Sequence, residues 1–275
     1  MSRPVAFLFA IAASCALPLA PAVAQDKAAL PSVDVSGNSQ RDSVEKSYRK
    51  MLRGMDLFER QRPTMAPTAT LRFRVLQRKP GVNLQDLELA ILARDIEIPI
   101  DVAPDRTFTL PRDRRAEAAD AVVSPNRRRL TMTWRADVRT PGLPSNTRRL
   151  GDLRLECQVG MEAALVSNSP SWIVRLYDKL DTTPAYCNRK NNEYLFFADK
   201  PLFGVTLVAG NRREQLPAGR LWAGAFDDPG LRQDLPFCDC EMLVDRTYFL
   251  PLADTSWPHD TLVVFDFMDA PDAPR

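Results

Sequence analysis

The first regular pattern of apolar residues along the chain has the spacing of an α-helix. In DSVEKSYRKMLRGMDLFERQR, apolar side chains recur every three or four positions, at Val44, Tyr48, Met51, Leu52, Met55 and Phe58. Residues with this spacing share one helix face and can bury it together. Asp42 or Ser43 is expected to cap the start, and Pro63 to prevent the helix from continuing. The pattern predicts an amphipathic helix over residues 42–62, which either docks on the body of the protein or binds a partner.

From Thr68 onward the pattern changes to alternation of apolar and polar residues. Alternation over about four to eight residues predicts a half-buried β-strand, because successive side chains point to opposite faces. Such segments follow one another in the order LRFRVLQ, LELAILA, IEIPIDV, TFTLP and RLTMTWRADV. Short strands at this spacing are typical of an antiparallel sandwich or barrel.

The same series of segments occurs again in the C-terminal half. DRTFTLP (residues 105–111) and DRTYFLP (residues 245–251) share five identical positions. Other landmarks occur in the same order in both halves, namely Lys79-Pro80 and Lys200-Pro201, Leu89 and Leu207, Arg94 and Arg212, and Pro99 and Pro217. This collinearity predicts two tandem β modules, at residues 68–140 and 193–270.

The expected fold is therefore mainly β with a minor helical part. It consists of two tandem antiparallel β-sandwich modules joined by a helical bridge and preceded by the amphipathic helix. The repeated strand pattern with its DRT(F/Y)xLP turns resembles, in style, the immunoglobulin-like or transthyretin-like modules that are appended to exported proteins. This resemblance is architectural and implies an antiparallel sandwich, with no assignment of activity.

The two predicted modules differ by one insertion. Pro99 and Asp105 are 6 positions apart, whereas Pro217 and Asp245 are 28 positions apart. The second module therefore contains an inserted loop at about residues 218–240. A loop of this length without its own core must be tied down or disordered.

Residues 141–192 connect the two predicted modules. Within this segment, residues 150–165 fit the helical and the alternating templates equally well, and the helix propensity of MEAAL favours a helix. A second helical pattern covers residues 171–180. We expect a packed, partly helical bridge.

The N-terminus has the pattern of a secretory signal peptide. An apolar run shorter than the ~20 residues of a spanning helix ends in an A-x-A site at Ala24. We expect residues 1–24 to be removed, residues 25–41 to be disordered, and the mature protein to be periplasmic or secreted, with no transmembrane segment. Lipoprotein anchoring at Cys15 is the less favoured alternative, because Ala12 stands where such signals usually have Leu.

Export predicts disulfide bonding for the cysteines that remain. An even number of cysteines in an oxidising compartment usually forms disulfides, and four are left: Cys157, Cys187, Cys238 and Cys240. A bond between Cys238 and Cys240 would strain a short ring. The favoured arrangement links one of this pair to Cys157 and the other to Cys187, which would tie the inserted loop to the protein.

The Cys-x-Cys pair also supports a different reading. Thiolates are soft ligands that suit Cu(I), so Cys238 and Cys240 could form a copper site that Cys187 or Cys157 completes. The spacing differs from the C-x-x-C of thioredoxin-type enzymes, and no methionine cluster accompanies it. The structural role is therefore favoured, and we expect no metal or other cofactor.

Charge distinguishes the two halves. Residues 68–154 hold 17 Lys or Arg against 11 Asp or Glu (+6), whereas residues 155–275 hold 11 against 18 (−7). Clustered arginines in the basic half form the candidate surface for an anionic partner: Arg112, Arg114, Arg115, Arg127, Arg128, Arg129, Arg148 and Arg149. Such a surface could attract an anionic envelope component or an acidic protein surface. The alternative is a solvated arginine-rich face. Nucleic acid is not expected, because no nucleic-acid motif occurs.

Several catalytic classes lack support in the sequence. The only histidine, His259, has no second histidine for a zinc-protease motif, and no G-x-S-x-G, G-x-G-x-x-G or P-loop pattern occurs. We expect His259 to be a turn residue before the last strand. Asp227-Asp228, Asp266 and Asp269 belong to an abundant set of carboxylates, of which a pair at ~5–9 Å could hydrolyse a glycosidic bond.

Three functional hypotheses follow. The leading one is an exported, non-catalytic envelope protein that acts by binding or scaffolding, with its basic module facing the partner. The second is a thiol-based copper or redox protein centred on the Cys-x-Cys pair. The third is a carboxylate-dependent hydrolase, which requires a deep acidic cleft.

Overall fold

The protein is mainly β, with several antiparallel sheets and few helices. A computed structural model describes residues 44–78, 81–128, 131–165, 183–190, 192–222 and 244–268. The predicted signal peptide, the N-terminal segment at 25–41, the second bridge helix and most of the inserted loop lie outside these ranges. Among the described helices, none is both long and apolar enough to cross a membrane.

The first half contains two helices and seven strands, and it includes every strand that the sequence pattern predicts there. Its elements are β1 (Lys46–Ser47), α1 (Tyr48–Met65), β2 (Thr70–Gln77), β3 (Leu89–Ala93), β4 (Ile96–Ile100), β5 (Thr107–Phe108), α2 (Arg114–Ala118), β6 (Val122–Pro125) and β7 (Met132–Arg139). The five alternating segments of this half are all strands, as predicted. Strands β1 and β6 and helix α2 were not predicted.

The second half begins with a strand that runs directly into a helix. Its elements are β8 (Thr147–Arg149), α3 (Leu150–Glu162), β9 (Leu195–Phe197), β10 (Leu202–Ala209), β11 (Arg212–Gln215), β12 (Thr247–Phe249) and β13 (Leu262–Phe267). Short 3₁₀ turns lie at Pro184–Asn188, Ala218–Arg220 and Val244–Arg246. The prediction of a helix in the bridge is confirmed by α3.

The strand order of the first half recurs in the second. One sheet has the order β1-β6-β3-β4 and another has β8-β13-β10-β11, while β5-β2-β7 is matched by β12-β9. In each half, the edge strand that precedes a helix pairs antiparallel with the last strand of the matched set. Strand β7, which pairs only with β2, has no counterpart among the described residues.

Backbone hydrogen bonds match at both helix starts. The Tyr48 amide donates to the Ala121 carbonyl over 3.0 Å, just before β6. The Leu150 amide donates to the Thr261 carbonyl over 2.8 Å, just before β13. The two strand-to-helix junctions are therefore attached to their sheets in the same way.

The two DRT segments also occupy matching positions. The Val75 amide donates to the Arg106 carbonyl over 2.8 Å, and the Ala198 amide donates to the Arg246 carbonyl over the same distance. Thr107 and Thr247 then start strands β5 and β12, which pair with β2 and β9. The sequence match between these segments thus reflects equivalent places in the two halves.

The match between the hairpins differs from the sequence alignment by two residues. Ala93 closes the β3–β4 hairpin and Ala209 closes the β10–β11 hairpin, which makes Leu89 equivalent to Val205 rather than to Leu207. The last strand of the second half, β13, occupies the place of β6 in the sheet order and not that of β7.

Helix α1 begins and ends later than predicted. Tyr48 is its first residue, and the Ser47 hydroxyl caps it by accepting from the Lys50 amide over 3.4 Å. Lys46 and Ser47 pair with β6, so the chain enters the helix only at Tyr48. Pro63 does not stop the helix, because it lies in the last turn, and the chain continues to Met65.

Two hydrophobic clusters form the interior, and α3 contributes to both. Leu155, Val159 and Ala163 belong to the first cluster, with α1 and strands β2, β3, β6 and β7. Leu153 and Cys157 belong to the second, with β9, β10, β12 and β13. Residues 150–161 are buried throughout, as expected for a helix with packing partners on all sides.

Candidate functional site

The described cysteines form one disulfide, between Cys157 and Cys187. Cys157 lies on α3 and Cys187 in the 3₁₀ turn at Pro184–Asn188, and their Cα atoms are 6.1 Å apart. The predicted links from these two cysteines to Cys238 and Cys240 are therefore wrong. The disulfide fastens the turn to the helix, and it does not reach the inserted loop.

The structure places the predicted surface arginines in separate locations. Arg112 and the two arginines at the start of α2 precede β6, whereas Arg127 and Arg128 follow it, about 13 Å further along the strand. Arg112 pairs with Asp56 over 2.7 Å, and Arg127 donates to the Asn126 side chain over 2.6 Å. Arg114, Arg115 and Arg128 are exposed, and Arg149 is half-buried at the end of β8. Arg129 lies outside the described residues.

Arg148 is an interior residue and has to be removed from the predicted surface. It is 6% exposed, and its Nη2 donates to the Glu156 carboxylate over 2.5 Å and to the Val138 carbonyl over 2.5 Å. The Val138 amide donates back to Glu156 over 3.0 Å. Burial lowers the pKa of Arg148, but Glu156, Tyr248 and Asp137 together outweigh burial and hold that pKa above its ordinary value, so the guanidinium stays charged.

Asp137 is the second buried acid of this network. Arg74 donates to it over 2.8 and 3.0 Å, and Arg139 over 2.8 Å. Burial raises the pKa of Asp137, but Arg148, Arg139 and Arg74 together hold it below its ordinary value. Arg139 also donates to Asp199 over 3.0 Å, which links β7 of the first half to the chain just after β9.

His259 has a structural environment, in the turn where the sequence placed it. Its Nδ1 lies 3.3 Å from Arg154, and its carbonyl accepts from the Gly151 amide over 2.8 Å. Arg154 also donates to three carbonyls of the preceding loop, those of Leu252, Asp254 and Trp257. Burial and the Arg154 charge lower the pKa of His259, so the imidazole is held neutral.

The carboxylates that the sequence singled out do not form a described cluster. Asp227, Asp228 and Asp269 lie outside the described ranges, and Asp266 is exposed on β13. In the described part of the chain, no group of three or more His, Cys, Asp or Glu is arranged to hold a metal ion.

A cleft of about 150 Å³ lies where the two halves meet. Strand β2 and the first DRT segment form one wall, and residues 197–199 with the second DRT segment form the other. The walls carry three arginines, Arg74, Arg106 and Arg246, and two acids, Asp105 and Asp199. Basic side chains from both halves therefore face the same space.

The acids of this cleft are already engaged. Asp105 accepts from the Thr107 amide and hydroxyl over 3.1 and 2.7 Å. Slight burial raises its pKa, but these bonds and the charges of Arg74 and Arg72 lower it overall. Asp199 pairs with Arg139 over 3.0 Å and lies 3.8 Å from Arg74. Arg74 itself is occupied by Asp137 and by the Asp105 carbonyl.

Arg106 has the least engaged charge in the cleft. It is exposed, and within the described ranges no group hydrogen-bonds or ion-pairs with its guanidinium. Its backbone φ is 63°, a left-handed conformation that is uncommon for a residue other than glycine. Such conformations cost free energy and cluster at functional sites. At the equivalent position of the second half, Arg246 donates from Nη1 to the Asp199 carbonyl over 2.8 Å, and its buried Nε has no partner among the described residues.

A larger cleft of about 450 Å³ adjoins the junction cleft and shares Gln77 and Arg106 with it. Its polar wall includes Asn83, Gln85 and Asp86, and its apolar wall comes from residues such as Leu84, Leu87, Val102 and Pro104. Asp86 also has a positive φ, of 54°.

Sequence reasoning quoted the DRT motifs but missed this site. The sequence marks both arginines only as parts of turns, since DRT serves there as a landmark. The available signal was that Arg106 and Arg246 stand at the same position of the two DRT motifs. Comparisons with family models, with curated proteins and with solved structures find no match.

Proposed function

We propose that this is an exported, non-catalytic protein of two tandem β modules that binds an anionic component of the cell envelope. In place of the predicted bounds 68–140 and 193–270, we assign the modules to residues 46–125 and 147–267. Each has a strand, a helix and five further strands, and the first also contains α2. The matching sheet orders and the equivalent hydrogen bonds at both helix starts and both DRT segments support this division.

The observation that carries the binding function is the convergence of arginines from both modules on the junction cleft. An exposed guanidinium without a protein partner can hold a carboxylate or phosphate by charge-assisted hydrogen bonds. The ion network of Arg148, Glu156, Asp137 and Asp199 fixes the walls relative to one another, because it links β7, β8, α3 and the segment after β9. A rigid wall reduces the ordering cost of binding.

Sedimentation of the mature protein with isolated bacterial envelope tests this proposal. Binding that depends on charge weakens as salt screens the interaction, with a Debye length near ~10 Å at 0.1 M and ~3 Å at 1 M. We expect the bound fraction at low salt to fall steeply as sodium chloride is raised toward 1 M. Absence of binding, or binding that salt does not alter, would overturn the proposal.

A second candidate is a thiol-based copper or redox function at Cys238 and Cys240. The Cys157–Cys187 bond favours it, because the two partners expected for the Cys-x-Cys pair are already bonded to each other. Alkylation of the exported protein without reduction, followed by intact mass under native and denaturing conditions, tests this candidate. Two added alkyl groups or a released metal would support this candidate. If no alkyl group is added and no metal is released, the candidate is ruled out.

The hydrolase hypothesis gains less support from the same cleft. Asp105 and Asp199 do line it, but a general acid for glycoside hydrolysis needs a raised pKa. The pKa of Asp105 is lowered, and Asp199 is paired with arginine. The arrangement favours holding an anion over protonating a leaving group.

A further inference from the structure

We propose that the two adjoining clefts form one site for an acidic saccharide, with the carboxylate of the sugar on Arg106 and Arg246 and the ring in the larger cleft. This inference rests on the proposed function and names the class of ligand. It treats Arg106, which lines both clefts, as the group that joins the two parts of the site.

The anion end of the site is defined by which donors remain unused. Arg74 has its Nε, Nη1 and Nη2 committed to Asp137 and the Asp105 carbonyl. Arg246 uses Nη1 for the Asp199 carbonyl and its Nε is buried, so its Nη2, which has no partner among the described residues, is the donor left for a ligand. No described residue occupies the Arg106 guanidinium, so all of its donors remain for a ligand. One planar carboxylate can accept from such a group in a bidentate manner.

The ring end of the site is defined by size and lining. About 450 Å³ lies within the range of small-molecule sites and suits a group larger than a simple ion. Exposed Gln85, Asn83 and Asp86 offer amide and carboxylate groups for hydroxyls. Leu87 and Pro104 offer apolar surface for the C–H face of a ring. A single inorganic anion would leave this part of the site unused.

The backbone supports a binding role at the same residues. Asp86 and Arg106 both hold left-handed conformations, and both line the larger cleft. The Arg106 amide donates to the Ala103 carbonyl over 2.8 Å, and its carbonyl accepts from Val75. The fold therefore fixes the Arg106 backbone from both sides, and the side chain starts from a defined point at the rim.

Titration of the mature protein with sodium glucuronate, glucose and sodium phosphate tests the site. Calorimetry and the arginine Nε–H resonances in ¹H–¹⁵N spectra serve as readouts. We expect saturable glucuronate binding that shifts the Arg106 and Arg246 resonances, with glucose and phosphate each weaker by about tenfold or more. Glucose binding as tight as glucuronate, phosphate binding as tight as glucuronate, or no glucuronate binding would overturn the inference.

Two substitutions and a matched control separate binding from folding. Arg106→Ala and Arg106→Gly are each expected to weaken glucuronate binding about tenfold or more, with the thermal midpoint of Arg106→Gly at or above that of the wild type. Arg94→Ala, in the exposed β3–β4 turn, is expected to bind as the wild type does. Equal binding by the wild type and both Arg106 variants would overturn the inference.

Failure of this inference can be told apart from failure of the proposed function. If glucuronate does not bind but salt-sensitive envelope binding persists, the saccharide site is wrong and the binding function stands. If glucuronate binds through Arg106 but envelope binding is absent, the saccharide site stands and the envelope partner is wrong.

Discussion

Arg148 and Glu156 form a buried ion pair, with Nη2 of the arginine 2.5 Å from the carboxylate of the glutamate. The Arg148 side chain reaches β7, where the Val138 carbonyl accepts a hydrogen bond from the same Nη2. Glu156 lies on α3, which packs against both hydrophobic clusters. The pair therefore connects the helix shared by the two halves to the network that leads to the junction cleft.

Removing one member of this pair is expected to be costly. Glu156→Ala leaves the buried Arg148 charge without its nearest acid, which should lower the free energy of unfolding by about 3–5 kcal/mol. The double variant Arg148→Met with Glu156→Leu should lie closer to the wild type than either single change, because no unpaired charge remains. Urea unfolding of the wild type, Glu156→Ala, the single variants Arg148→Met and Glu156→Leu, and the double variant measures both effects. Additive losses in the double variant would contradict the prediction.

An exposed pair provides the control for that cycle. Arg62 and Glu59 on α1 are 3.4 Å apart, with side chains 39% and 60% exposed. Glu59→Ala should change the free energy of unfolding by less than about 1 kcal/mol, since solvent screens such pairs.

Glycine at position 106 is expected to stabilise the fold. The left-handed backbone of Arg106 disfavours a side chain by about 1 kcal/mol, a cost that glycine avoids. The free energy of unfolding of Arg106→Gly should therefore be up to about 1 kcal/mol higher than that of Arg106→Ala. The alanine variant removes the guanidinium but keeps the Cβ. Urea unfolding compares the two variants, and a more stable alanine variant would show that the backbone is not strained there.

His259 is expected to give the protein a dependence on mildly acidic pH. The folded-state pKa of His259 lies below its ordinary value of 6.5, so the unfolded chain binds the proton more readily. The corresponding stability is present above pH 6.5 and is lost as the pH falls through the folded pKa. In the wild type, the urea concentration at the midpoint of unfolding should be higher at pH 7 than at pH 5.5.

Replacing the histidine should reduce that difference, because no other imidazole exists in the chain. His259→Gln keeps a polar group beside Arg154 and removes the titration. An unchanged difference between the two pH values in this variant would assign the effect to carboxylates instead.

The Cys157–Cys187 bond is expected to stabilise the fold through loop closure. Its partners are 30 residues apart, and closing a loop of that length corresponds to about 3–4 kcal/mol in the chain-entropy estimate. The double variant Cys157→Ala with Cys187→Ala should lose about this much in urea unfolding. Reduction of the wild type should reproduce the loss, whereas a double variant as stable as the wild type would contradict it.

The sequence predicts those parts of the fold that depend on local periodicity. The stripe of α1, the α3 helix and the alternating strands were recognisable, because side-chain spacing along one element determines which residues can be buried together. Strands β1, β8 and β9 have two or three residues each, too few to show a period.

Errors arose where distant contacts decide the outcome. Arg148 looked like part of a solvated arginine run, yet β8 alternates its side chains and turns only this one inward. The disulfide depends on how the turn at Pro184–Asn188 packs on α3, which cysteine spacing does not encode. Arg106 and Arg246 could have been singled out, because each is the second residue of a DRT motif.

Envelope sedimentation of the wild type, Arg106→Ala and Arg94→Ala at low salt shows whether the junction cleft holds the anionic partner. We expect Arg106→Ala to lose most of the bound fraction, with an affinity lower by about tenfold, and Arg94→Ala to bind as the wild type does. Equal binding by all three proteins would contradict the claim that the junction cleft holds the anionic partner.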